Sequence, residues 1–204
     1  MGLISNGTTV FDNGSMASGF GGSMVFIKKL TASSSATLSF VDGTDGVVLD
    51  DTYKEYVFTF KNIHPATDNI RFAFQGSTDG GSSYGVTLTN TYHRAYHKED
   101  DSVTVLAYEP FYDQAQSTAF ATLVDSLGGN ADQQCSGTLQ IFNPSSTTFV
   151  KHFISRLNNS HAGDYSMDQF TAGYFNTTSS IDAVQFKMDS GNIDDGDICL
   201  YGIA

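Results

Sequence analysis

Large apolar side chains recur at every second position along most of the chain. In residues 53–61 (YKEYVFTFK), Tyr56, Phe58 and Phe60 fall on one side of an extended backbone and Val57 and Thr59 on the other. Residues 69–75 repeat the device with Ile70, Phe72 and Phe74, and residues 84–92 set Val86 and Leu88 between threonines. Further strands are predicted over residues 24–30, 35–41, 103–108, 138–142, 147–157 and 167–175. Residues 62–65 (NIHP) end one of them, because proline cannot donate to a ladder. Asp, Gly, Asn and Ser cluster between the runs, as in Asp42-Gly-Thr-Asp-Gly46 and Gly76-Ser-Thr-Asp-Gly-Gly-Ser-Ser83, where glycine supplies positive φ and aspartate bonds its own backbone.

Two stretches read less simply. In residues 113–127 (DQAQSTAFATLVDSL), Phe120, Leu123, Val124 and Leu127 fit helical spacing, so a short helix and a strand both remain open there. At the far end, Val184, Phe186 and Met188 alternate with Ala183, Gln185 and Lys187. A polar loop over 189–197 and an apolar run over 198–203 follow, which predicts a closing β-hairpin. Residues 1–22 are rich in Gly, Ser and Asn and hold only isolated apolar residues. They read as an irregular N-terminal arm that orders against another surface, anchored by Leu3, Ile4, Val10, Phe11 and Phe20.

Strands with one aromatic face and one Thr/Ser/Lys face bury one side and wet the other. The expectation is therefore an all-β antiparallel β-sandwich, jelly-roll-like, occupying residues 23–204 as one domain, with at most one or two short helices. Composition supports this. Charged residues make up 16% of the chain, below the usual roughly 25%, and Ser, Thr, Gly and Asn supply the polarity instead.

The formal charge of −12 comes from 22 acidic and 10 basic residues, which argues against a phosphate backbone as partner. No run approaches a transmembrane helix, and the N-terminus shows no export signal, so no membrane insertion is expected. Cys135 and Cys199 stand far apart and outside any metal spacing, leaving a single bridge or two free thiols open. His93 and His97 sit in an alternating context, where residues four apart are about 13 Å apart, too far to share a metal. The acidic turns lack the alternation of a calcium loop, and turn chemistry explains them. Neither a Gly-x-Ser-x-Gly elbow nor a Cys/His pairing stands out. The reading is thus no enzyme, no cofactor and no metal. Tyrosines in or beside turns offer stacking platforms for sugar, with Tyr84, Tyr92 and Tyr96 as candidate glycan contacts and Tyr108 and Tyr112 similarly placed.

Several stretches together resemble virion structural proteins of marine tailed bacteriophages, of the kind found in cyanophages and pelagiphages. They are TYKEYVFTFKNIHPATDNIRFAFQ, TDGGSSY, TYHRAYH, YDQAQSTAF, SGTLQIFNPSSTTFVKHFISR and the ending FKMDSGNIDDGDICLYGI, spanning Leu30 to Ile203. The resemblance implies a β-sandwich located in the virion after synthesis in the host cytoplasm. With the arm and the acidic surface, it leads to two expectations. The first is a homo-oligomeric (trimeric) capsid decoration or cement protein that binds major capsid or tail proteins through its arm. The second is a tail-fibre or tail-tip protein that recognises a host surface glycan.

Overall fold

A computed structural model describes residues 3–6, 8–12, 15–16 and 23–204. Three short strands near the start, β1 (Leu3–Ser5), β2 (Thr8–Asp12) and β3 (Ser15–Met16), pair as a small antiparallel meander of their own. The body consists of β4 (Met24–Thr31), β5 (Leu38–Val41), β6 (Glu55–Pro65), β7 (Ile70–Ser77), β8 (Leu88–Lys98), β9 (Thr104–Tyr108) and β10 (Gln114–Ser117). It continues through β11 (Ala121–Leu127), β12 (Cys135–Phe142), β13 (Lys151–His161), β14 (Tyr165–Phe175), β15 (Ala183–Met188) and β16 (Ile193–Ile203). Every ladder is antiparallel, and no helix occurs among the described residues.

The body is one 13-stranded sheet whose main path runs β4-β16-β6-β12-β13-β11-β7-β15-β5. It curls until it nearly closes, as a barrel does. At one end of the path an isolated bridge joins Ser35, just before β5, to Ile193 at the start of β16. Within the path, β11 meets β13 through a single residue pair, Leu127 with His161. Beyond β13 a branch leaves the barrel path: β14 pairs with β13 along its length, then β8 with β14, and β9 and β10 share the other edge of β8.

Alternation explains which side chains turn inward. On β13, Lys151, Phe153, Ser155, Leu157 and Asn159 are buried, while His152, Ile154, Arg156, Asn158 and Ser160 are exposed. Phe40, Phe58, Phe60, Phe72, Phe74, Phe153, Phe175 and Phe186 form an aromatic core, each at most 2% exposed. Rings from the β5-β15-β7 side interlock with rings from β6 and β13 through edge contacts, among them Phe186–Phe58 at 5.2 Å and Phe74–Phe153 at 5.0 Å. Burying each ring is worth about 1.5–3 kcal/mol.

The structure sharpens or corrects four readings. The closing β-hairpin is absent: β15 pairs with β7 and β5, whereas β16 pairs with β6 and β4. The polar loop carries the chain across the core, so Phe186 of β15 faces β6 rather than lying beside β16. Of the two alternatives for residues 113–127, the strand is the one found: they form β10 and β11. Two register shifts in β11, between Thr122 and Val124 and between Val124 and Leu127, break its alternation and imitate helical spacing. Residues 62–65 end their strand at Pro65, as expected, but the residues before the proline are themselves paired. Asn62 takes a positive φ of 52° in a bulge, opposite a second bulge at Gly196, and β6 then continues to Pro65, its last residue. A Cβ at Gly196 would stand 2.6 Å from the Asn62 carbonyl oxygen, so the doubled bulge requires glycine there. Finally, part of the arm is paired as β1 to β3 rather than irregular.

Candidate functional site

The segment between β9 and β11 shapes a cleft on the outer face of the sheet. After Tyr108 the chain turns over Glu109-Pro-Phe-Tyr112, closed by the Tyr112 amide donating to the Glu109 carbonyl (3.1 Å), with proline in the second position where its φ suits the turn. Tyr112 reaches down to donate its hydroxyl to Asp125 of β11. Its ring leans on Tyr92 with centroids 5.2 Å apart. Further on, the carbonyls of Thr118 and Ala119 accept the Gln75 amide (3.1 and 2.9 Å), and the Gln114 amide donates to the Phe120 carbonyl (2.9 Å). The segment is therefore pinned at both ends over the outer face of β7 and β15. That cover explains why Gln75 is wholly buried on what alternation would make a wet face.

Between this segment and the sheet lies a cleft of about 420 Å³. Its floor carries Arg71 and Ala73 of β7, Thr122 of β11 and Lys187 of β15; Phe111, Asp113 and Phe120 form the rim. Phe111 is 78% exposed and stands edge-on to Tyr112 at 5.2 Å. Asp113 accepts the Tyr108 hydroxyl (2.5 Å). The Arg71 backbone amide and Nε donate to the two oxygens of Asp189 (3.0 and 2.6 Å). Lys187 places its ammonium 4.4 Å from the centre of the Phe120 ring, a cation–π contact.

Beneath the cleft is a buried polar cluster. Arg94 of β8 lies between Asp125 and Glu109, and Asp125 also receives Tyr112. Burial works against the guanidinium's charge, but the two carboxylates outweigh it and raise its pKa above the ordinary value. Burial likewise drives the Tyr92 and Tyr112 hydroxyls upward. Gln169 of β14 accepts the Asp125 amide (2.7 Å) and donates back to the Asp125 carbonyl (3.3 Å), and the Thr171 hydroxyl donates to the Thr122 carbonyl (2.7 Å). Side chains thus satisfy the free edge of β11 where no strand pairs with it, which closes the seam of the barrel. Among these groups every charge has an opposite charge or a hydrogen bond. The cluster is built to hold β8 and β14 onto β11.

The tyrosines singled out from sequence are dispersed. Tyr84 and Tyr96 are partly buried and lie away from the cleft. Tyr92 must be corrected: it is completely buried, with its hydroxyl on Gln169, so its ring offers no face to a sugar. Alternation along β8 turns it inward with Leu88 and Asn90. Of the other turn aromatics, Tyr112 lines the cleft, and Tyr108 touches its rim only through its hydrogen bond to Asp113. Phe111, Phe120, Arg71 and Lys187 carried no local signature beyond the Glu-Pro-Phe-Tyr turn.

Of the expected anchors, Ile4 in β1 is 59% exposed, Leu3 lies in the same strand, and Val10 and Phe11 lie in β2. Phe20 falls outside the described residues. His93 stacks flat on Phe170 (4.7 Å), and His97 faces Asp101 (2.9 Å). In the turn after β7 the hydroxyls of Ser77 and Ser83 and the Ser83 amide all donate to Asp79, which lowers its carboxyl to about 2. Cys135 and Cys199 are free, buried thiols, and burial pushes the Cys135 thiol up. Among the described residues no three His, Cys, Asp or Glu side chains converge as a metal site, and no helix is long and apolar enough to cross a membrane.

Fold and cleft define a class: an antiparallel, nearly closed β-barrel domain with a pre-formed aromatic and ionic cleft on its outer face. Compared with protein-family models, curated proteins and solved structures, the chain shows no significant match.

Proposed function

We propose that this chain is a non-enzymatic structural protein of a tailed-phage virion, a jelly-roll-like domain that associates as a trimer and decorates the particle through its N-terminal segment. The observation that carries the reading is the edge of the sheet at β4. Among the described residues β4 pairs only with β16, and its exposed outer face carries Met24 (44% exposed) and Phe26 (57%). Phe26 packs edge-on against Tyr201 at 5.6 Å, so the apolar surface extends onto β16. An unpaired strand edge beside apolar side chains is a template for association unless something covers it. The arm leads directly into this strand, which puts the expected anchor and the uncovered edge on one continuous segment.

Light scattering on the purified protein tests the assembly. A trimer that dissociates in Phe26→Asp, or on deletion of residues 2–22, supports the reading; a monomer at high micromolar concentration overturns it. Immunolabelling of particles then distinguishes capsid from tail. The second reading, a tail-fibre or tail-tip protein that recognises a host surface glycan, is favoured by the cleft beside Phe111.

A further inference from the structure

We infer that the cleft between the 109–120 segment and the outer face of β7 and β15 binds a carboxylated sugar, the uronic acid residue of an acidic glycan. The inference rests on the glycan-binding reading and specifies its site and ligand class. Three features of the cleft point to this chemistry. The first is Phe111. Its ring is held in water at the tip of a turn fixed by Pro110 and by the anchor of Tyr112 on Asp125. A rigid exposed ring presents a flat apolar face without an ordering cost on binding, which is what the C–H face of a pyranose stacks on.

The second is Asp113. The Tyr108 hydroxyl occupies one carboxylate oxygen and leaves the other without a partner in the structure, free to accept from a sugar hydroxyl. A polyhydroxylated ligand can use Phe111 and Asp113 together, whereas a simple inorganic anion has neither a ring face for Phe111 nor a hydroxyl donor for Asp113.

The third is the pair of cations on the floor, Lys187 and Arg71, the latter already bound on one side by Asp189. The chain carries −12 overall, and among the described residues five of its ten basic side chains face a carboxylate. Arg94, Lys29, Lys98 and Arg156 face carboxylates, and Lys28 and Lys151 donate to backbone carbonyls. Among the described residues Lys187, like Lys54 and Lys61, has neither: its ammonium lies over the Phe120 ring with no carboxylate and no hydrogen-bond acceptor in contact. Arg71 spends Nε on Asp189 and keeps its two terminal nitrogens unbonded, 6.0 Å of guanidinium carbon from the Tyr112 ring. Lys187 pairs with Ala73 across the β15–β7 ladder, and Asp189 with Arg71, so the two cations sit diagonally on neighbouring strands. A carboxylate entering between them meets an ammonium and the open end of a guanidinium. The volume of about 420 Å³ lies in the usual range of small-ligand sites, about 300–1,000 Å³.

The test is NMR titration of ¹⁵N-labelled protein with glucuronate, galacturonate, glucose and acetate, followed at the amides of residues 111–114, 120 and 187. Uronates are expected to saturate these signals, with neutral glucose about tenfold weaker and acetate weaker still. Lys187→Met should erase the advantage of uronate over glucose, and Phe111→Ala should abolish binding of both. Both positions lie at the surface, and unchanged circular dichroism checks that the variants stay folded. Equal affinity for glucose and glucuronate would overturn the acidic-ligand inference while leaving the glycan reading intact. No perturbation of the cleft by any sugar would overturn both, and binding of acetate as strong as uronate would reduce the site to a simple anion pocket and also overturn it.

Discussion

Single side chains in the polar seam explain where this protein is vulnerable. Arg94 is neutralised by Asp125, whose side chain is only 3% exposed, and by Glu109. Replacing Arg94 by Met would leave a buried carboxylate unpaired, an expected loss of about 3–5 kcal/mol in urea unfolding. Combining it with Asp125→Asn should cost clearly less than the sum of the two single changes, because the orphaned charge is gone; additive costs would contradict the pairing. His161, at the same seam, has its pKa lowered from the ordinary 6.5, chiefly by burial and against the pull of Asp125. Its Nδ1 accepts the Gly163 amide (2.8 Å), which fixes the neutral tautomer with the proton on Nε2. The unfolded chain therefore takes up this proton at higher pH than the folded one. Stability falls as pH drops from above the ordinary value toward the folded one, and below that the contribution is flat. Unfolding midpoints from about pH 7.5 to about pH 5 should slope less in His161→Gln than in the wild type. Parallel slopes would exclude His161 as the source.

Among the strands, β15 matters most because it crosses the core instead of folding back on β16. Phe186 stands at the centre, with ring centroids at 5.2 Å from Phe58, 5.3 Å from Phe60, 6.0 Å from Phe72 and 6.2 Å from Phe40. One ring thus ties β15 to β6 across the interior and to β7 and β5 beside it. Phe186→Ala should cost about 3–5 kcal/mol, since so many rigid rings cannot collapse into the void. A loss under about 1 kcal/mol would mean that the rings do not interlock in this way. The glycines at strand contacts have a complementary role: a Cβ on Gly173 of β14 would run into the Thr89 carbonyl and Asn90 of β8, so that ladder closes only with glycine there.

Taken whole, the molecule is completed by its last strand. β16 lies between β4 and β6, and the bridge from Ser35 to Ile193 ties the far edge of the sheet back to the same strand. The barrel therefore depends on pairings between distant parts of the chain, whose closure cost is met only when the strands meet. Completing the barrel in this way leaves two kinds of surface. The β4 edge, with Met24 and Phe26, suits association with other copies or another protein. The cleft under the 109–120 segment suits a small polar ligand. The two surfaces are separable by mutation because Phe26 and Lys187 lie on different strands.

Strand content was legible before any coordinates because the direction of a side chain in an extended backbone depends only on its position along that strand. Tyr56, Phe58 and Phe60, or Phe153 between His152 and Ile154, announce a buried face from within a few residues. Partner choice has no such local origin. Val184 to Ile203 read as a hairpin, and the pairing of β15 with β7 and β5 and of β16 with β6 and β4 makes them an arch instead. The helical look of Leu123, Val124 and Leu127 came from bulges that exist only against β7, and Tyr92 counted as a turn aromatic until β8 was seen to run through it. The cleft is the extreme case. Arg71, Phe111 and Lys187 come from three distant stretches, and their proximity is created by a curled sheet and a segment pinned over its outside, which are long-range packing energies that no short window of residues contains.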